Sequence, residues 1–453
     1  MATKIGRTGT SSTNATKFTW SAWVKRADIG GDGILFYNYL DGNNRAYLLF
    51  QSNDTMYYYD KDGGDLQAAL TTTEIYRDSN AFYHICLIGD STDSTTGDRI
   101  QLYVNGVRQT MTGTYPDVND SLGMKVHTGT NYHVLGTNSD STSNPFSGIM
   151  SHVHYVDGID YPATTFGSTD STTGEWKINT SPSITTSDYG NNGYFVLKDG
   201  NSVTDQSGNS HNFTVTAGNL TKTEDNPSNN FATGNPLIGI HSNGSVLVPH
   251  TYSNGNLTST SSGQQWRIHQ STLGASSGKY YAEFKLISNS GTWYSYVGIY
   301  DLDGYAQKVS GYPYLSDMAN TYGLKDSNGQ IHTGGSGTSY GVSYGTGNII
   351  GVAMDLDNNK LYFSKDGTWM NSANPSNGTG GYSITADKTY AFGIQQYAQN
   401  SIVWSANYGN GYIGTTEITT NTGTGYQDAD GNGRFYYAVP TGFRCLSTKG
   451  LNQ

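Results

Sequence analysis

Apolar residues near the start of the chain recur at every second position. Phe18, Trp20, Ala22 and Val24 alternate with Thr19, Ser21 and Trp23. A period of two predicts a β-strand with one face turned to a core. Similar runs follow at Ile34–Leu40, Asn44–Gln51 and Thr55–Tyr59, each bounded by Asp, Asn or Gly. Ala81–Gly89 is nearly all apolar, the pattern of a strand covered on both faces. Arg99–Val104 and Val107–Thr110 flank Asn105-Gly106, a pair that tolerates the two positive φ angles of a type I′ hairpin turn. Tyr132–Gly136 and Gly148–Val156 continue the series. Short strands at regular spacing predict a β-sandwich.

Beyond residue 160 the pattern loosens. Pro162–Phe166 suits one helical turn and Gly193–Lys198 one strand. Asp225-Asn-Pro-Ser-Asn-Asn230 is a polar break, and a domain boundary is expected near it. The all-β texture then returns. Tyr280–Ile287, Tyr296–Asp301, Asn348–Asp355, Lys360–Phe363, Thr389–Gln395 and Ile402–Ala406 read as strands, with Asp357-Asn-Asn359 as a hairpin turn. The expected fold is therefore all-β: two antiparallel, jelly-roll-like β-sandwich domains in tandem. They are placed at residues 1–200 and 236–410, with a linker at 201–235 and a C-terminal extension at 411–453.

Composition narrows the classes. Among 453 residues there are 58 Gly and 36 Tyr, while only 13% are charged. Helical surfaces need Glu, Lys, Arg and Ala, and glutamate occurs only at Glu74, Glu175, Glu224, Glu283 and Glu417. A net charge of −11 argues against a nucleic-acid backbone as partner. No apolar run approaches the roughly 20 residues of a membrane helix, so no membrane partner is expected. Met1–Gly9 lacks the apolar core of a secretory signal. Cys86 and Cys445 cannot build a disulfide framework, and Cys86 reads as a small core residue.

Two resemblances rest on longer motifs. Phe18-Thr-Trp-Ser-Ala-Trp-Val-Lys-Arg26, Phe82-Tyr-His84, Ile100-Gln-Leu-Tyr-Val-Asn-Gly-Val107 and Phe146-Ser-Gly-Ile149 resemble a laminin-G-like (concanavalin A-type) sandwich. Gly347 to Trp369, with Tyr296-Val-Gly-Ile-Tyr300 upstream, resembles a SPRY domain. Asp205-Gln-Ser-Gly-Asn-Ser-His-Asn-Phe213 and the closing Val439-Pro-Thr-Gly-Phe-Arg-Cys-Leu446 complete a layout similar to fibre-like virion proteins of tailed phages of marine type. Such proteins usually begin with an extra strand ahead of the first motif. Only 17 residues precede Phe18 here, and Met1–Asn14 is polar. That strand is expected to be missing or supplied by a neighbouring subunit.

Candidate chemistry is sparse. Gly337-Thr-Ser339-Tyr-Gly341 and Gly341-Val-Ser343-Tyr-Gly345 match the G-x-S-x-G pattern, which needs a strand before it and a helix after it. None of the glutamates sits in a paired-carboxylate motif of the kind that sandwich glycosidases use. His152 and His154 are two apart and are expected on one strand face, with His84, His127 or His133 as third metal ligand. The acidic loops Asp28–Asp32 and Asp90–Asp98, and Asp428-Ala-Asp-Gly-Asn-Gly433, are candidate calcium sites, although Val439 stands where a calcium loop has its last glutamate. No catalytic residue, no fixed metal ligand and no cofactor is assigned, with calcium left open. The ligand-binding candidates are Tyr57, Tyr58, Trp293, Tyr294, Tyr312 and Tyr314, aromatic rings expected near loops, where they could stack on sugars or anchor protein.

The resemblance implies a non-enzymatic virion structural protein on the particle surface: a fibre tip, tail-attached knob or capsid decoration. Its implied partners are other tail or capsid proteins and a host glycan or receptor, and its implied state is a homo-oligomer, with a trimer as candidate. A polysaccharide depolymerase and a secreted lectin are the alternatives.

Overall fold

The computed structural model describes residues 3–123, 132–138, 142–198, 202–238, 240–242, 246–248, 250–263, 265–302, 318–419 and 426–452. The chain divides into two compact units, Met1–Thr221 and Lys222–Gln453. Both are built mainly of antiparallel strands arranged as facing sheets.

In the first unit the strands are β1 (Lys4–Thr8), β2 (Lys17–Arg26), β3 (Gly33–Asp41), β4 (Asn44–Phe50), β5 (Met56–Asp62), β6 (Asp65–Thr72), β7 (Tyr83–Asp90) and β8 (Ile100–Val104). They are followed by β9 (Val107–Arg108), β10 (Met111–Thr114), β11 (Tyr132–Leu135), β12 (Gly148–Asp157), β13 (Gly167–Thr169), β14 (Trp176–Ile178), β15 (Tyr194–Val196) and β16 (Thr214–Ala217). An eight-stranded sheet runs β10-β6-β5-β4-β3-β11-β1-β16 and a six-stranded one β15-β12-β2-β7-β8-β9. The core lies between them. Phe18, Trp20, Ala22 and Val24 of β2 meet Leu48 and Phe50 of β4 and Met56 and Tyr58 of β5. The hairpin turn takes its expected shape, with φ of 49° at Asn105 and 75° at Gly106.

The outer face of the six-stranded sheet is covered by its own chain. Cys86 and Ile88 pack against Ala163 and Phe166, and Val156 packs with Tyr189 and Phe195. This explains why β7 is apolar at successive positions. The Thr19 hydroxyl donates to the Ile159 carbonyl at 2.9 Å, fixing the start of the covering segment.

Two expectations are corrected in this unit. The first strand is present within the chain: β1 pairs Ile5 with Leu135 on one side and Gly6 with Thr214 on the other. A polar sequence hid it, because only Ile5 of its five residues is a large apolar side chain. The supposed linker 201–235 is shared between the units. β16 is a strand of the first unit's sheet, whereas Phe231 and Ala232 lie in the cores of the second.

The second unit is again two facing sheets. One contains Thr258–Ser262, Ser401–Asn407, Lys279–Ser290, Ile349–Asp355 and Lys360–Lys365; the other contains Gln265–Gln270, Tyr390–Ala398, Trp293–Asp301, Tyr322–Lys325, Gln330–Thr333 and Ser336–Ser339. The described part of residues 411–453 is no free extension. Phe435, Phe443 and Cys445 pack with Tyr281, Ala353 and Tyr362 on the outer face of the first of these sheets.

A buried carboxylate holds this covering in place. Glu283 is fully buried. It accepts the backbone N–H groups of Tyr436 and Tyr437, each at 2.8 Å, an N–H of Asn407 at 3.1 Å and the Tyr281 hydroxyl at 3.3 Å. Burial nevertheless pushes its pKa up to about 7. An amide has only one acceptor oxygen for these four donors. Glu283→Gln should therefore cost about 1–3 kcal/mol, the penalty for buried donors left unpaired, read as a lower urea midpoint.

Five buried histidines act in the opposite pH direction. Burial lowers the pKa of His84 and His269 to about 3 and holds His133, His154 and His250 well below the usual value. The unfolded chain protonates these groups near pH 6.5 while the folded chain does not, so each stabilises at neutral pH and loses about 1.4 kcal/mol per pH unit as pH falls below 6.5. Glu283, raised in the fold, gains stability as pH falls from about 7 towards 4.5. Three of the histidines lie in the first unit. The second has two, together with the partly buried His332, whose pKa is also lowered, and these are offset by Glu283. Acidification from pH 7 to pH 5 should thus destabilise the first unit more, measured as a larger loss of hydrogen-exchange protection over residues 3–221.

Candidate functional site

In the first unit, the outer face of the eight-stranded sheet carries tyrosines in register. Strand alternation divides β4 and β5 cleanly. Ala46, Leu48 and Phe50 of β4, with Met56 and Tyr58 of β5, enter the core. Tyr47, Leu49 and Tyr57 belong to the opposite face, with Tyr37, Tyr39 and Val134 of the neighbouring strands. Pairing sets Tyr37 opposite Tyr47 and Tyr47 opposite Tyr59.

These rings stack on one another. Tyr37 and Tyr47 have centroids 5.3 Å apart with planes 5° from parallel; Tyr47 and Tyr59 are 5.1 Å apart at 15°. Tyr57 meets Tyr47 edge-on at 6.1 Å. The Arg45 guanidinium lies over the Tyr59 ring, 5.4 Å from its centroid. Tyr37 is buried, Tyr39, Tyr47, Tyr57 and Tyr59 are half-buried, and Tyr132 at the β11 end is exposed. Since neighbouring rings occupy each other's faces, the ladder offers mainly ring edges and phenolic hydroxyls. Burial raises the pKa of Tyr47 and Tyr57 above the usual value, so these hydroxyls stay protonated and can donate.

The second unit also has an outward aromatic cluster. Trp266 lies opposite Tyr397, and Tyr397 opposite Tyr294, across three adjacent strands. Trp266 stacks on Tyr294 at 6.2 Å and meets Tyr397 at 5.5 Å. Tyr296 stands beside them, 5.3 Å from His332. Tyr294 is 42% exposed.

Of the residues singled out from sequence, Tyr57 and Tyr294 therefore lie on outward aromatic faces, on strands instead of loops. Tyr58 does not: it is 1% exposed, faces the core and donates to Asp60 at 2.7 Å. Trp293 is turned inward, partly buried against the second unit's core. Tyr312 and Tyr314 lie outside the described residues. The sequence alone did not single out Tyr37, Tyr39, Tyr47, Trp266 and Tyr397 as ligand candidates. The available signal was the two-residue period of Tyr57, Tyr59 and Lys61, which puts them on one face and Tyr58 on the other.

The remaining candidates resolve into structural roles. His152 and His154 do not continue a regular strand face. A bulge separates Ser151 from His154, and His152 has φ of 49°. The His154 Nδ1 is 2.8 Å from the Tyr189 hydroxyl, and its ring stacks on Phe195 at 3.8 Å. The Trp176 indole donates to Nδ1 of His84, so the proton of that neutral ring sits on Nε2, 2.9 Å from the Ser21 hydroxyl. His127 lies outside the described residues. Asp428 accepts the N–H groups of Asn432, Gly433 and Cys445, and Asp430 pairs with Arg444 at 2.6 Å. Asp32 accepts from Ser52, and Asp90 holds Lys17 at 2.8 Å. Among the described residues, no group of three or more His, Cys, Asp or Glu is placed to hold a metal ion. Ser339 ends a strand that no helix follows, and Ser343 lies in an irregular stretch.

Comparison with known proteins fits this architecture. Residues 4–159 match the family model described as the concanavalin A-like lectin/glucanases superfamily. No curated protein matches the chain. Among solved structures it is similar to the SPRY domain of human HERC1, with 18% identity over 35% of this chain and 91% of that one and a TM-score of 0.28. It is also similar to a SAP-like pentraxin from Limulus polyphemus, with 15% identity, 34% and 69% coverage and a TM-score of 0.26. A third likeness is to a proposed carbohydrate binding protein from Bacteroides ovatus, with 16% identity, 48% and 58% coverage and a TM-score of 0.30. Residues 4–159 thus match a concanavalin A-like family model, and the outer face of their eight-stranded sheet carries the tyrosine ladder, half-buried at Tyr39, Tyr47, Tyr57 and Tyr59.

Proposed function

We propose that this chain is a non-enzymatic binding and structural protein on the surface of a tailed-phage particle. In this reading it is a compact appendage: a fibre tip, tail-attached knob or capsid decoration. It meets host glycan or protein through the outward aromatic faces and assembles as a homo-oligomer with other virion proteins.

The observation that carries the binding role is the stacked row Tyr37–Tyr47–Tyr59 on the outer face of the eight-stranded sheet. Tyrosines held rigid by stacking lose little entropy on binding, and their hydroxyls match the wet, polar contacts of sugars and protein rims. Weak contacts of this kind gain strength through copy number on a particle. The virion placement is supported by the sequence layout: a laminin-G-like segment, a SPRY-like segment and the Val439–Leu446 ending.

Two experiments test the reading. An antibody against this chain, applied to intact virions and viewed by electron microscopy, should label tail or head; the absence of label on any particle would contradict the virion role. Tyr59→Ala should weaken binding of the purified protein to host cells at least severalfold while leaving it folded. Unchanged binding would contradict the ladder's role, and release of reducing ends from host polysaccharide would contradict the non-enzymatic assignment.

A further inference from the structure

Beside the tyrosine row runs a second row on the same face. Tyr39 of β3 is opposite Arg45 of β4, and Arg45 is opposite Lys61 of β5. Two cations therefore face each other directly across adjacent strands, an arrangement that works against sheet stability. Neither has an ion-pair partner among the described residues. Elsewhere in this unit Lys17, Arg26, Arg77, Arg108 and Lys177 each pair with an aspartate, and Arg7 and Arg99 bond backbone carbonyls.

Two nearby carboxylates are otherwise engaged. Asp41 accepts from the Asn43 backbone and the Asn44 amide. Asp60 lies on the core side, bound to Tyr58 and the Gly123 N–H. The Nε of Arg45 is buried with no hydrogen-bond partner. On a chain of net charge −11, this leaves an uncompensated basic pair at the end of a row of phenolic hydroxyls. An anion would relieve the repulsion, and a chain bearing both anionic groups and many hydroxyls would use both rows at once.

We propose that this face binds an anionic polysaccharide, its carboxylate or sulfate groups seated between Arg45 and Lys61 and its sugar hydroxyls along Tyr47, Tyr57 and Tyr59. The inference rests on the binding role proposed above and names its ligand class. Local charge complementarity selects this occupant over a neutral glycan. The tyrosine row selects it over a simple polyanion, which would have no use for hydroxyl partners.

The test measures binding of the full chain to dextran sulfate, polygalacturonate, neutral dextran and duplex DNA, at low and physiological salt. Dextran sulfate and polygalacturonate, which separate sulfate from carboxylate, should include at least one ligand whose binding weakens with salt. Lys61→Glu should reduce that binding about tenfold, since it removes one charge-assisted contact and adds repulsion. The same change should raise the urea midpoint by turning a like-charge pair into an ion pair, so lost binding cannot be attributed to unfolding. Lys61→Gln should give a smaller loss. Unchanged binding in Lys61→Glu would overturn the inference, as would equal binding of duplex DNA. Binding of neutral dextran that is lost in Tyr59→Ala but not in Lys61→Glu would overturn the inference while sustaining the binding role. Absence of binding to every sugar chain, with host-cell binding intact, would also overturn the inference and leave protein as the partner.

Discussion

A β-sheet has two faces, and a sandwich buries only one face of each sheet. The fate of the remaining outer faces organises both units of this protein. In the first, residues 159–189 lie over the six-stranded sheet. In the second, residues 428–447 lie over the sheet that contains Tyr281 and Tyr362. Each unit thereby covers one outer face with its own chain, at the expense of long, irregular connections. The other sheet in each keeps an outer face that carries aromatic residues in cross-strand register.

The two coverings are fastened by different chemistry. In the first unit a hydroxyl and a histidine–indole contact anchor the connection, through Thr19 with Ile159 and His84 with Trp176. In the second, one carboxylate gathers four donors. Both arrangements place titratable groups in the dry interior, one kept neutral and the other held near its pKa. Stability and the shape of the open surface are therefore linked. Loosening a covering segment would expose a second, apolar outer face on the other sheet of the sandwich.

Much of this was legible in the sequence, and the residues show where legibility ended. The alternation of Phe18 to Val24, the apolar run of β7 and the Asn105-Gly106 turn all report local backbone geometry, and each appears as read. Strands such as Lys4–Thr8, Thr258–Ser262 and Ser336–Ser339 were not read, because their side chains are mostly hydroxyls, glycine or charges and their pairing comes from neighbours distant in sequence. The candidate site was half legible. Tyr57 and Tyr294 were singled out as aromatic residues, but only alternation within β5 separates Tyr57 and Tyr59 from the buried Tyr58. The ladder itself joins β3, β4 and β5 at matched positions, and register between strands is a tertiary fact. The same holds for Arg45 opposite Lys61, two ordinary surface cations until pairing sets them face to face.

The central claim is that the outer tyrosine face of the first unit is the working surface. Tyrosine nitration mapped by mass spectrometry, on the free protein and on the protein bound to host cells or to a polysaccharide ligand, tests it most directly. The account predicts that Tyr39, Tyr57 and Tyr59 react in the free protein and are protected in the bound one, while the buried Tyr58 is unreactive in both. Protection confined to tyrosines elsewhere in the chain, with Tyr39, Tyr57 and Tyr59 equally reactive in both states, would contradict it.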